Sequence, residues 1–179
     1  MTTEGSKVCG IDYSMTSPAF TIYDGSTFNI NYLVARDSDL VLGRETSKTL
    51  NPRLYPEWTH DTERYSKLAG WVCDELMWQM RPVVCIEDYA FSARGRVFHI
   101  GENTGILKYK LNKCRLRFES VTPQIVKKYA TGKGNAKKVD MYEAFVEDTG
   151  IELGKVKQWS DIADSYWIAK WYYHNRSDT

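Results

Sequence analysis

The chain has 179 residues, 42% hydrophobic and 26% charged, with a formal net charge of +1. That balance fits a single folded domain, residues 1–179, with enough length for a real core. No run of ~18 apolar residues occurs, which excludes a membrane-spanning helix, and MTTEGSKVCG leads into a strand with no apolar leader.

In chain order, residues 8–14, 19–23 and 28–36 are β-rich runs separated by Ser-Pro and Asp-Gly turn signals, the pattern of an antiparallel meander. Residues 37–61 are polar, contain Pro52 and Pro56, and read as a long irregular connection. Residues 62–80 carry Tyr65, Leu68, Ala69, Val72, Leu76, Met77 and Met80 at helical spacing, and Pro82 ends that helix. Residues 83–90 form a continuous apolar strand of the kind buried on both faces. A helix over 104–113, a fifth strand over 115–121 and a helix over 124–130 opened by Pro123 follow. Gly132 and Gly134 break that helix, residues 136–148 form another, and the last runs from about Ser160, its N-cap, to Tyr173. The order predicts an α/β architecture: a five-stranded mixed sheet with helices on both faces.

Charge is segregated along the chain. Residues 1–90 hold 8 Lys/Arg and 13 Asp/Glu, residues 91–140 hold 12 and 3, and residues 141–179 hold 4 and 7. A basic middle between acidic ends is the electrostatic footprint of phosphate binding. GKGNAKK lacks the spacing of a P-loop, so its glycines serve a backbone turn with lysines alongside. The four cysteines lack metal or CxxC spacing and read as reduced core thiols of a cytoplasmic protein. Trp58, in the irregular connection, has no obvious core role.

The chemistry lies in four acids. Asp12 and Glu87 end apolar strand runs in VCGIDYS and VVCIEDYAF, and an acid among strand apolar residues is costly unless it has a task. Asp161 and Asp164 in WSDIADSYWIAKW are i,i+3 neighbours on one helix face, with Ile168 continuing that face towards a core. If the first and fourth strands are neighbours, all four converge. Such a cluster repels itself unless it holds cations or takes up protons. Carboxylates are the hard ligands Mg²⁺ prefers, and two Mg²⁺ ions about 4 Å apart serve phosphodiester hydrolysis. Each acid alone has a structural explanation: a strand-end turn for Asp12, a helix-dipole residue for Asp161 or Asp164.

GIDYS, CIEDYAF, the basic VKKYATGKGNAKKV and SDIADSYWIA, in that order, resemble the motifs of the RuvC-like Holliday junction resolvases of the RNase H-like superfamily, especially divergent phage-type members. The resemblance covers about residues 7–171 and implies a homodimeric, Mg²⁺-dependent crossover junction endonuclease, with Mn²⁺ able to substitute. It would bind branched DNA and make paired symmetric nicks without a small-molecule cofactor, in the host bacterial cytoplasm if phage-encoded. Asp12, Glu87, Asp161 and Asp164 would be the metal ligands. Lys138 would join the catalytic set, and Lys127, Lys128, Lys133 and Lys137 would contact DNA with it. The chain departs from the bacterial pattern at Tyr13-Ser14, where Pro-Gly is usual, and at Ala90, where an aromatic wedge is usual. That leaves Phe91 or Phe98 for junction opening, with Arg94 and Arg96 on phosphate. A flap or hybrid nuclease of the same fold, a non-catalytic DNA binder and an actin-like ATPase built on GIDYS remain open at this level.

Overall fold

A computed structural model describes residues 7–88 and 97–176. The three N-terminal strands, β1 (Val8–Asp12), β2 (Ala19–Tyr23) and β3 (Phe28–Val34), pair antiparallel as the turn signals predict. The polar stretch that follows is more ordered than its composition suggests. It forms α1 (Asp37–Thr46) and β4 (Leu50–Leu54), and β4 adds to β3 in parallel. Among the described residues the sheet therefore has six strands, not five.

The reason this strand escapes pattern reading is physical. LNPRL is short, and only Leu50 and Pro52 are buried. A proline removes a ladder donor, which is tolerated at a sheet edge, and β4 is an edge.

Helix α2 (Asp61–Trp78) then crosses one face and feeds β5 (Val83–Glu87), which pairs in parallel with β1. Helix α3 (Val97–Lys113) starts seven residues earlier than its apolar pattern indicated and leads to β6 (Phe118–Val121), parallel to β5. Helices α4 (Pro123–Thr131), α5 (Lys138–Thr149) and α6 (Trp159–Asn175) complete the chain. Pro123 occupies the first turn of α4, and Gly132 caps it in the left-handed region at φ 76°.

The strand order is β4-β3-β2-β1-β5-β6. One core lies between the sheet and α4–α6, built on Phe145, Ile162, Ile168 and Ala169. The other lies under α2 and α3, built on Leu68, Val72, Leu76, Leu107 and Leu111. Helices on both faces are thus as expected. Among the described residues, no helix is long and apolar enough to cross a membrane.

One contact sets the position of α6. A Cβ added at Gly10 would lie 2.1 Å from the backbone N of Ala169 and 2.6 Å from the Ser165 carbonyl oxygen. Beside it, Thr21 Oγ1 and Ser165 Oγ share a buried 2.9 Å hydrogen bond. Glycine is required because helix backbone, which cannot swing aside like a flexible side chain, occupies the Cβ position. Gly10→Ala is expected to lower stability by about 1–3 kcal/mol or more. Thermal unfolding should show a fall of about 2–4 °C per kcal/mol for a chain of this size; an unchanged melting temperature would contradict this packing.

Candidate active site

The parallel register of β1 and β5 places Ile11 opposite Ile86. The next residues are Asp12 and Glu87, so both carboxylates emerge side by side at one end of the sheet. Helix α6 runs against β1 and delivers Asp161 and Asp164 from its first two turns, with Ile168 fully buried one turn further on. The inference that the first and fourth expected strands are neighbours is therefore met, with the latter numbered β5.

The electrostatics tie the four acids together. Burial pushes the Asp12 carboxyl well up, and Glu87, Asp161 and Asp164 push it further. Burial, then Asp164, raise Glu87 from 4.5 to about 7, against the opposing pull of Lys127 and Lys138. Burial raises Asp164 from 3.8 to about 6, with Asp161 adding to the effect and Lys138 and Lys127 opposing it. Asp161 is also raised by burial, but less freely, because the Ser17 hydroxyl donates to it and Lys138 lies nearby. Neighbouring acids raise Asp12, Glu87 and Asp164 alike, and Asp161 is among those neighbours each time, so the four form one electrostatic unit.

Two lysines face this unit. Lys138 opens α5, and its Nζ donates to Ser160 Oγ at 3.3 Å. Ser160 Oγ lies 3.4 Å from Asp161 Oδ2. Ser160 is inside α6 rather than its N-cap, because Gln158 takes that position and its carbonyl accepts from the Ile162 N–H at 2.9 Å. Its hydroxyl is thereby freed to link Lys138 to Asp161. Lys127, on α4, is partly buried and acts on Glu87 and Asp164.

Lys128, Lys133 and Lys137 are exposed on α4 and the turn into α5, on the same side of the sheet as Lys138. Phe91, Arg94 and Arg96 lie outside the described residues. Phe98, the other aromatic candidate, is 86% exposed at the start of α3.

Sequence reasoning missed the serines. Ser17 N–H donates to Ser14 Oγ at 2.8 Å, which folds the loop after β1 so that Ser17 can reach Asp161. No motif marks Ser17, since its role depends on the return of a helix 144 residues later.

The donor set is chemically suited to hard divalent cations. Among the described residues, however, no three Asp, Glu, His or Cys side chains are drawn together closely enough to enclose one cation.

No known family model matches the chain. Its fold does match solved structures. Thermus thermophilus RuvC superposes with a TM-score of 0.63 at 16% identity, covering 94% of this chain and 95% of that one. T. thermophilus RuvC in complex with a Holliday junction substrate superposes with a TM-score of 0.63 at 16% identity, covering 92% and 90%. The chain therefore has the RuvC, RNase H-like fold over nearly its whole length.

The raised carboxyls carry a sign. A carboxyl whose folded pKa exceeds its unfolded one favours the folded state at low pH and loses that contribution as pH rises through the folded value. For Glu87 the window runs from 4.5 to about 7, and for Asp164 from 3.8 to about 6. In chelator, the melting temperature should fall between about pH 4 and about pH 7. Glu87→Gln should flatten that fall and melt higher than the parent at the upper end. A parent curve that rises with pH, or an unchanged slope in the variant, would contradict the coupling.

Proposed function

We propose that this chain is a divalent-metal-dependent, structure-selective endonuclease that resolves four-way DNA junctions by paired nicks. The observation that carries the reading is the electrostatic unit of Asp12, Glu87, Asp161 and Asp164, assembled from two strand ends and a helix and faced by two lysines. The likeness to T. thermophilus RuvC, including the structure holding a Holliday junction substrate, supports the choice of substrate.

In this reading the four carboxylates would hold Mg²⁺, or Mn²⁺ in its place, which would supply charge stabilisation and an activated water. Asp12 and Glu87 hold their oxygens on rigid strand ends. Ser17 and Ser160 fix Asp161, so its carboxylate is presented in one orientation. Lys138 offsets the carboxylate charge before metal arrives and places an ammonium where a phosphate would enter. Lys127 does the same from the Glu87 side. Lys128, Lys133 and Lys137 extend the cationic track along the backbone of the bound strand, which positions DNA without reading its sequence. Arg94, Arg96 and Phe91 or Phe98 belong to the same reading as junction contacts.

A junction needs two cuts, so the functional unit is a homodimer. Helix α3 suits it. Gly105 is exposed, and a Cβ added at Gly101 or Gly105 would meet nothing within 4 Å, while Tyr109 is exposed on the same face.

The experiment is a panel of four-way junction, flap, Y-fork, RNA/DNA hybrid and linear duplex substrates with mapped cut positions. Paired symmetric cuts in the junction, dependent on added Mg²⁺, are expected; preferential cutting of flaps or hybrids would replace the junction reading with that of another nuclease of this fold. Asp164→Asn should lose about 10³-fold or more in single-turnover cutting, as removal of one member of a cooperating catalytic unit does, while keeping junction affinity. Unchanged cutting would remove Asp164 from the site.

The basic track makes a second prediction. Junction affinity should fall steeply with salt, and each lysine replaced by alanine among Lys128, Lys133 and Lys137 should reduce the log–log salt slope by about 0.7–0.9. A slope unaffected by the triple replacement would place the DNA elsewhere.

A further inference from the structure

The segment between β4 and α2 holds an aromatic platform that the acid cluster and basic track leave unexplained. Trp58 is 42% exposed. Two groups lie against its indole. The Tyr55 ring lies 5.0 Å away at 59°, and the Arg64 guanidinium carbon sits 5.5 Å from the ring centroid. Arg64 is itself held, 5.3 Å from the Tyr65 ring and 3.1 Å from Asp61 Oδ1.

The backbone on either side of Trp58 is pinned. The Glu57 carbonyl accepts from Lys67 Nζ at 2.6 Å. Thr59 donates to Glu63 Oε2 through its N–H at 2.9 Å and its hydroxyl at 2.7 Å. His60 caps α2, its Nδ1 accepting from the Glu63 N–H at 3.2 Å. A large ring half in solvent on a mobile loop would be ordinary surface. Here the strap is tied at adjacent residues, so the ring is held in place while part of its surface stays open to water.

The platform is also tied to the acid cluster. The Tyr55 hydroxyl donates to the Met15 carbonyl, and an Arg64 Nη lies 3.9 Å from Met15 Sδ. Two residues along the same loop, Ser17 lies near Asp161 and holds its carboxyl down. Two residues of chain span at most about 7 Å. One short loop, residues 13–17, thus joins the carboxylates on one side to the Trp58 platform on the other.

The charges around the ring narrow the ligand. Glu63 is paired with Lys67 at 2.7 Å, and Asp61 with Arg64. The strap's own ion pairs are satisfied locally, and the strap between Tyr55 and Asp61 contributes no Lys or Arg. What the ring offers is a flat, rigid, polarisable face, which suits a nucleobase rather than a phosphate.

From this geometry we infer that Trp58 is a stacking site for an unpaired nucleobase of the branched substrate, close to the strand held at the acid cluster. Arg64 and Tyr55 hold the indole in place, so its exposed part meets the base without reorganising. Any base has such a face, so the site accepts all four and favours places where bases leave the duplex. The inference rests on the nuclease reading above and deepens it by assigning a second contact to the same DNA.

The test uses the full chain, a four-way junction carrying 2-aminopurine at each position near the crossover in turn, and Ca²⁺ to follow binding without relying on cutting. Trp58→Phe keeps a flat ring; Trp58→Leu keeps apolar volume without one; Trp58→Ala removes both. Wild type and Trp58→Phe are expected to quench the probe at one position beyond what duplex stacking gives. Trp58→Leu and Trp58→Ala are expected to lose that quench and to bind the junction about tenfold more weakly, the scale of one base–aromatic stack, with linear duplex affinity unchanged. Matching melting temperatures for Trp58→Phe and Trp58→Leu separate stacking from folding. If all three variants bind and quench like wild type while wild type cuts junctions, the stacking site is wrong and the nuclease reading stands. If wild type neither binds nor cuts any branched substrate, the nuclease reading fails first.

Discussion

The contact between Gly10 and the backbone of Ala169 and Ser165 is the constraint on which the rest depends. With no side chain at Gly10, α6 sits directly on β1, and the distance between helix and sheet is set by backbone against backbone. A helix held off by even one methyl group would carry Asp161 and Asp164 away from Asp12 and Glu87. The buried Thr21–Ser165 hydrogen bond adds direction to this closeness, fixing the position of α6 against β2 as well. Everything electrostatic at the site follows from it, because four carboxyls perturb one another only at short range.

That closeness has a cost. Burial and like charge both oppose ionisation of Asp12, Glu87 and Asp164, and among the described residues Lys127 and Lys138 push the other way. The arrangement makes poor sense as packing, since an apolar residue at Glu87 would stabilise the strand end. In the proposed reading the same carboxyls would bind cations, whose charge would convert that repulsion into attraction. Strain of this kind concentrates at functional sites and is offset elsewhere, here by two dense cores on either side of the sheet.

Much of this was legible before any coordinates. Glu87 stood out because an acid interrupting an apolar strand has few innocent explanations. The i,i+3 spacing of Asp161 and Asp164 and the apolar positions after them placed both on one face of one helix. The meander and the alternation of helices with strands gave the sheet and its two covered faces. What could not be read depends on partners remote in the chain. Gly10 looks like any strand glycine until α6 returns to it. Ser17 and Ser160 become useful only when Asp161 and Lys138 arrive beside them. The strand Leu50–Leu54 failed for another reason: its pairing comes from β3 backbone rather than its own side chains, and Pro52 argues against a strand anywhere but an edge.

Pro52 has a consequence for assembly. β4 and β6 are the two outer strands of the sheet. β4 carries a proline and exposes Asn51 and Arg53, while β6 is four residues long and exposes Glu119 and Ser120. Short, polar or proline-bearing borders deter another chain from extending the sheet. Self-association is thereby channelled away from cross-strand growth, which is open-ended and prone to fibres. In the proposed homodimer, contact would then fall to helical surfaces, where two copies can meet about an axis and stop at two.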